Sequence, residues 1–176
     1  MAVPRYIPRY TVEDYQKWEG QWELWSGVPV AMSPSADRAH QRLGARLLRL
    51  LSAALDAAGC KDCEVLYEID WVAGEATVFR PDLVICCPLE DTQFLAAPPV
   101  LAAEILSPST RSKDLMYKRE AYETLGVRYY LVVDPEERTT QLLENSEQRY
   151  RESITGVLEL HPGCRIELQL RDLFEA

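Results

Sequence analysis

Val100-Leu-Ala-Ala-Glu104-Ile-Leu106 is an apolar run broken by one acid. Between the Pro-containing loop that ends at Pro99 and the turn Ser107-Pro-Ser-Thr110, it reads as a buried strand. A glutamate is almost never fully buried unless it is paired or coordinates something. Charged and unpaired in such a strand, it would cost several kcal/mol or more. The preceding apolar strand, Asp82-Leu-Val-Ile-Cys86, opens with a second acid, and the following helix carries Lys118.

Neighbouring strands lie about 4.8 Å apart. If the Asp82 and Glu104 strands pair, their carboxylates can converge on one metal. From Glu104 to the strand end at Ser107 is roughly 10 Å, at about 3.3 Å per residue. From Thr110 to Lys118 is roughly 12 Å of helix, at about 1.5 Å per residue. A helix folded back along its strand therefore brings Lys118 level with Glu104. Two carboxylates and a lysine so placed can hold a divalent metal and hydrolyse a phosphodiester. Singly, the residues have plainer readings. Asp82 suits a turn after Pro81, and Lys118 suits a surface pair with Asp114. Glu104 is the residue without a comfortable plain reading.

Working outward, Thr11-Val-Glu-Asp14 begins a short helix running to about Trp18. Trp22–Trp25 and Val28–Met32 flank Ser26-Gly27 as a hairpin, and Pro29 places its second strand at a sheet edge. Ser33-Pro-Ser35 ends the hairpin and can cap a helix. From about Ala36 to Ala58, Leu43, Leu47, Leu50, Leu51, Ala54 and Leu55 form a helical stripe that Gly59 terminates. Cys63 to Trp71 reads as one long strand. A turn at Ala73–Ala76 and the Thr77–Phe79 segment follow. The helix after Thr110 runs to about Leu125, with Gly126 as its stop, and Val127–Asp134 is a buried strand. The Glu104 strand, that helix and the Tyr129 strand form a right-handed crossover unit. Short alternating pieces from Thr139 to Phe174 make a terminal hairpin or meander.

The 176 residues suit one domain, 1–176, and a composition of 47% hydrophobic and 27% charged residues is that of a globular protein. Neither a leader nor a membrane span is visible, so a cytoplasmic location is expected. The net charge of −9 argues against a surface coated for nonspecific nucleic-acid binding. Positive charge nevertheless gathers on two helices. On the first, Arg38, Arg42 and Arg46 make one stripe that suits either phosphate contacts or a solvated face. The cysteines, five in number, read as reduced thiols. Cys60 and Cys63 form a lone C-x-x-C pair, whereas a structural zinc site normally wants a second pair or well-spaced histidines. Trp18, Trp22, Trp25 and Trp71 read as core or interface, and the first three could feed a dimer contact.

Arg80-Pro81-Asp82-Leu-Val-Ile85, Pro99-Val-Leu-Ala-Ala-Glu104-Ile-Leu-Ser107-Pro-Ser-Thr110, the helical Asp114, Lys118 and Tyr122, and Gly126-Val-Arg-Tyr-Tyr130-Leu-Val-Val-Asp134-Pro135 follow one another along the chain. Together they resemble the putative restriction endonuclease family of the PD-(D/E)xK nuclease superfamily. The upstream Trp22–Gly27 segment, Met32-Ser-Pro-Ser35 and His40 resemble the family's opening. The resemblance implies an α/β fold with a restriction-endonuclease-like core, a mixed β-sheet flanked by helices. It implies Mg²⁺-dependent (or Mn²⁺-dependent) hydrolysis of DNA, with Asp82 and Glu104 as metal ligands and Lys118 as the catalytic lysine, and, since cutting a duplex needs two sites, a homodimer. Leu106 stands where the superfamily usually has its lysine, and the resemblance implies that the lysine has moved to the following helix, which suits Lys118. Glu23 is either a further carboxylate or a solvent-facing hairpin residue. His40 either faces the site or is an ordinary polar residue near a helix start, and Tyr122 suits packing or a site contact. A noncatalytic interaction protein that keeps the fold, and a hydrolase for small phosphorylated substrates, are the competing functions.

Overall fold

The structure, a computed structural model, describes residues 7–32, 37–89 and 91–175. Thr11 caps a four-residue helix, α1 (Val12–Tyr15), through a reciprocal exchange with Asp14. The chain tightens into i→i−3 bonds as far as Trp18. The expected hairpin forms as β1 (Trp22–Trp25) and β2 (Val28–Ala31), with Ser26 and Gly27 both at positive φ. The cap expected at Ser33-Pro-Ser35 lies outside the described residues. Asp37 caps helix α2 (Arg38–Ala58) instead, accepting the His40 N–H at 2.8 Å. Gly59, left-handed at φ 70°, ends the helix as expected. The buried stripe is His40, Leu43, Gly44, Leu47, Leu51 and Leu55, while Leu50 and Ala54 are only partly buried.

One expectation is overturned here. Cys63–Trp71 is not a single strand but two, β3 (Glu64–Tyr67) and β4 (Trp71–Gly74), in different sheets. Glu68 sits at φ 48° between them and turns the chain from one sheet to the other. Alternation of side chains persists on both sides of such a residue, so the sequence pattern does not register the change.

The remaining strands are β5 (Thr77–Phe79), β6 (Leu83–Cys86), β7 (Leu101–Ile105), β8 (Tyr129–Asp134), β9 (Thr139–Ser146), β10 (Arg149–Glu152), β11 (Val157–His161) and β12 (Cys164–Glu167). Between β7 and β8 a π-helical turn (Lys113–Lys118) runs into α3 (Arg119–Thr124), and a 3₁₀ turn (Leu170–Phe174) follows β12. The central sheet has the order β10-β9-β8-β7-β6-β3, and a smaller sheet has the order β2-β1-β5-β4. Within the central sheet only β7 and β8 run parallel, joined by the expected helical connection. Pro29 lies on the edge strand β2, where its missing N–H breaks no interior ladder.

A core packs on each face of the central sheet. Odd-numbered residues of β6 and β7, including Leu83, Ile85, Leu101 and Ile105, meet the α2 stripe and the β11–β12 hairpin. Even-numbered residues, including Val84, Cys86 and Ala102, meet Trp71, Phe79 and Tyr122 from the small sheet and α3. Residue parity therefore sends Glu104 toward the helix that follows it. Trp25 stacks on Tyr117 at 4.4 Å, and Trp18 packs edge-on against Tyr10, Tyr15 and Trp22, so these rings make contacts within their own chain. Among the described residues no helix is long and apolar enough to cross a membrane.

The cysteines depart from expectation. Cys60 is bridged to Cys164 and Cys63 to Cys87. The partners come from segments remote in sequence, which spacing alone does not bring together.

Two glycines should respond in opposite directions to alanine. A Cβ on Gly44 would meet Tyr67 and Ile105 at 3.5 and 3.6 Å, ordinary contact distances, and Gly44 lies inside α2. Gly44→Ala is expected to stabilise by about 0.5–1 kcal/mol. At Gly156, φ is +65° and a Cβ would come 2.8 Å from the Leu168 carbonyl oxygen. Gly156→Ala should cost roughly 2 kcal/mol or more. Denaturant unfolding of both variants checks the signs.

Candidate active site

Glu104 is placed by β7, whose five residues are all buried. Asp82 sits one residue before β6, and continuing the antiparallel register of Leu83 with Ala103 sets it opposite Glu104. Its Oδ2 accepts the Ile105 N–H at 2.7 Å and lies 3.2 Å from Nε2 of His40. The two acids are thus tied to adjacent strands at the same level, and His40 reaches the pair from the first turn of α2.

Lys118 arrives from the π turn. Its Nζ donates to Glu104 Oε1 at 2.9 Å, and it lies 3.1 Å from Glu23 Oε1 and 3.8 Å from Asp114 Oδ1. The Tyr122 hydroxyl donates to the same Glu104 oxygen at 2.7 Å. The π turn and the start of α3 direct Asp114, Lys118 and Tyr122 inward while Met116 and Tyr117 stay exposed. Such wide turns recur at functional sites. Tyr130, on β8, donates to the Asp114 carbonyl at 2.9 Å and so fixes the turn to the sheet.

Several plain readings of single residues give way. Glu104 and Lys118 are 3% and 5% exposed, and Asp114 is 2% exposed, so the Asp114–Lys118 pair is internal and not a surface pair. Glu23 is also buried, because β1 lies between β2 and β5, and its Oε1 accepts the Arg80 N–H at 2.7 Å. Asp114 is the site neighbour that sequence reasoning took for a surface partner. Its i,i+4 spacing from Lys118 was visible, but its burial depends on packing from β8. Of the arginine stripe, Arg38 and Arg42 are exposed, whereas Arg46 donates to the Leu173 carbonyl at 3.2 Å and ties α2 to the C-terminal 3₁₀ turn.

Electrostatics follow from burial and charge count. Burial pushes the Glu104 carboxyl well above its usual range, and Lys118 opposes that rise. Burial also works against the charge on Lys118, but Glu104, then Glu23 and Asp114, outweigh it and hold the amine well above its usual range. The two upward shifts pull the shared proton in opposite senses. With carboxylate oxygens at 2.9, 3.1 and 3.8 Å around it, the amine is the group that keeps the proton. Burial raises the Asp114 carboxyl to about 6, with Lys118 opposing. Burial and then Glu104 keep Tyr122 a protonated hydrogen-bond donor. At His40 burial is outweighed by the hydrogen bond and charge of Asp82, so its pKa rises. Three acids, Glu104, Glu23 and Asp114, thus lie around the one buried amine.

Glu23, His40, Asp82, Glu104, Asp114 and Lys118 line a cavity of about 470 Å³ together with Glu68, Arg80 and Lys113. A larger cleft of about 740 Å³, lined by Tyr15, Trp18 and Trp22, shares Glu68 and Arg80 with it. Arg80, which borders both, donates to Asp70 at 2.6 Å. Carboxylate oxygens are the donors that hard cations such as Mg²⁺ and Mn²⁺ prefer, so the site's chemistry fits such an ion. Among the described residues, no three carboxylates bring their oxygens within 4.8 Å of one another. A cation here would therefore rest on a pair of acids, with water and substrate oxygens completing its shell.

Removing Lys118 should leave Glu23 and Glu104 facing each other uncompensated. Lys118→Met is expected to destabilise the fold by about 3–5 kcal/mol. Glu104→Gln in the same chain should restore part of that loss. Strict additivity of the two changes in a double-mutant cycle, read by urea unfolding, would show that the ion pair carries no coupling.

A search of curated proteins finds no match. Among solved structures, a crystal structure described as "a putative nuclease belonging to DUF820", from Anabaena variabilis, superposes with a TM-score of 0.74. It covers 94% of this chain and 97% of its own at 16% identity, a likeness that carries the fold alone. The model of the Uma2 family, described as "Putative restriction endonuclease", matches residues 12–171. That match spans nearly the whole chain, and the chain belongs to the Uma2 family.

Proposed function

We propose that the chain is a divalent-cation-dependent endonuclease that hydrolyses DNA phosphodiester bonds. The cation is Mg²⁺ or Mn²⁺, and the protein acts as a single-domain cytoplasmic homodimer. The observation that carries the reading is the buried Lys118, gripped by Glu104 and Glu23 on the wall of a cavity that Asp82 and His40 also line. An excess of acids around one buried amine is an unfavourable arrangement for stability alone. It suits a site completed by a positive ion and a phosphate.

Asp82 and Glu104 are the residues that would hold the cation. Such an ion, when bound, lowers the pKa of its water and offsets charge on the phosphate. The protein's own groups then have separate tasks. The Ile105 N–H and His40 fix Asp82, and Tyr122 and Lys118 fix Glu104. Lys118 orients the attacking water and offsets negative charge developing on the scissile phosphate. Glu23, 3.1 Å from Lys118 Nζ, helps hold the amine in place. Arg38 and Arg42, exposed near the start of α2, contact the DNA backbone. The homodimer is inferred from the two cuts a duplex requires. A noncatalytic interaction protein is the second reading, favoured by the net charge of −9 and by the tight pairing of Lys118 within the protein.

Plasmid nicking separates the two readings. Wild type should nick supercoiled DNA with Mg²⁺ or Mn²⁺ and stop when the metal is chelated. Glu104→Gln and Asp82→Asn should each lower the rate by about 100-fold or more, with circular dichroism confirming that they fold. Absence of metal-dependent cutting on single-stranded, duplex and supercoiled DNA would favour the noncatalytic scaffold. So would activity that both substitutions leave unchanged. Cleavage of small phosphodiesters in preference to DNA would reassign the substrate.

A further inference from the structure

The four bridged cysteines occupy one place in the molecule. Cys60 follows the C-cap of α2, Cys63 precedes β3, Cys87 follows β6 and Cys164 begins β12. The Sγ atoms of Cys63 and Cys164, which belong to different bridges, are 3.9 Å apart. The two bridges approach each other through this pair, which places the four sulfurs in a row, Cys60–Cys164 next to Cys63–Cys87.

We propose that this cluster, when reduced, is a tetrathiolate site for Zn²⁺ formed by Cys60, Cys63, Cys87 and Cys164. Tetrahedral zinc with Zn–S bonds of about 2.3 Å sets its sulfurs about 3.8 Å apart. The Cys63–Cys164 pair already has that spacing. The Cα atoms of the bridged pairs lie 5.5 and 4.4 Å apart, so opening the bridges frees the Cys60 and Cys87 side chains to turn toward the Cys63–Cys164 pair. The C-x-x-C pair folds as a tight turn, with the Cys63 N–H 3.4 Å from the Cys60 carbonyl oxygen. This is the short-spaced half of a structural zinc site. The fold supplies the other half from two remote segments. Cys60, Cys63 and Cys164 are buried, so the metal would be shielded from competing water.

The site would bind helix α2, the β3 edge of the central sheet and the C-terminal hairpin together. It is distinct from the candidate active site. Cys60 lies two residues beyond the end of α2, and from His40 to that end at Ala58 is about 27 Å of helix. A reducing compartment keeps thiols open and would favour the zinc form, and oxidation would give the two bridges. The exchange balances. Each bridge takes two electrons and two protons from a dithiol, which leaves as its cyclic disulfide. The four thiols then release their protons as the metal binds.

His161 is a neighbour to be tested. One of its ring nitrogens lies within 4.8 Å of the sulfurs of Cys63 and Cys164, but the ring is engaged by Asp62 at 3.1 Å. It is assigned no coordination.

The experiment uses the full chain, reduced with dithiothreitol, freed of reductant anaerobically and titrated with Co²⁺ and then Zn²⁺. One Co²⁺ per chain should bind, with the strong thiolate charge-transfer absorption and visible bands of a tetrahedral four-sulfur site. Zn²⁺ should displace it, and the unreduced protein should bind neither. Cys60→Ser and Cys164→Ser should weaken binding by on the order of 100-fold or more, whereas Cys86→Ser and His161→Ala should leave it unchanged. The wild-type cobalt spectrum counts sulfur ligands even if a serine variant fails to fold. The proposal is overturned if reduced, folded protein takes up no stoichiometric metal. It is equally overturned if the spectrum is that of a mixed nitrogen–sulfur site lost in His161→Ala.

Discussion

The buried ammonium of Lys118 is the constraint around which the candidate site is organised. Glu104 comes from the central sheet, Glu23 from the small sheet and Asp114 from the same helical segment as Lys118. Without a cation among them, three carboxylates drawn out of water would repel one another and lose hydration that nothing replaces. The pairing therefore couples the two sheets and the connecting helix in one place. Hydrophobic burial on both faces of the central sheet supplies the general driving force. The ionic cluster adds a geometric requirement, because its hydrogen bonds are satisfied only when all three elements are in register.

That requirement has a functional side. A polar cluster on the wall of a cavity is a poor way to gain stability, since apolar side chains of similar volume usually serve as well. Here the costly groups are neighbours of Asp82 and His40, and together they line one cavity. The backbone N–H of Ile105 holds Asp82, while Tyr122 holds Glu104, so each acid has a fixed orientation before any ligand arrives. Preorganisation of this kind is what catalysis by charge stabilisation needs. Helix α2 runs from this cavity, where its first turn contributes His40, to the cysteine cluster beyond its last turn. Its length sets the separation between the two polar sites, and its leucine stripe fixes both ends against one sheet.

Much of this organisation was legible in the chain itself. Helix α2 and its Gly59 stop, the hairpin at Ser26-Gly27, and the β7–helix–β8 connection all follow from local periodicity and turn chemistry. Glu104 announced itself because an acid within an apolar strand conflicts with its surroundings. Lys118 could be placed by comparing strand rise with helix rise, since β7 and the helix are consecutive. The break between β3 and β4 was hidden, because alternation on either side of Glu68 looks the same whether or not the chain changes sheets.

The sequence by itself determined which segments become helices and strands, which faces are apolar, and that one strand carries an acid needing a partner. Local backbone and side-chain preferences are properties of neighbouring residues, so they survive in a linear reading. Tertiary structure alone decided that Glu23 and Asp114 are buried beside Lys118, that Arg46 reaches the C-terminal turn, and that Cys60, Cys63, Cys87 and Cys164 meet. Each of those outcomes depends on what packs against a residue from a distant part of the chain. A polar group's solvation, and hence its charge and its possible partners, is fixed only when that packing is complete.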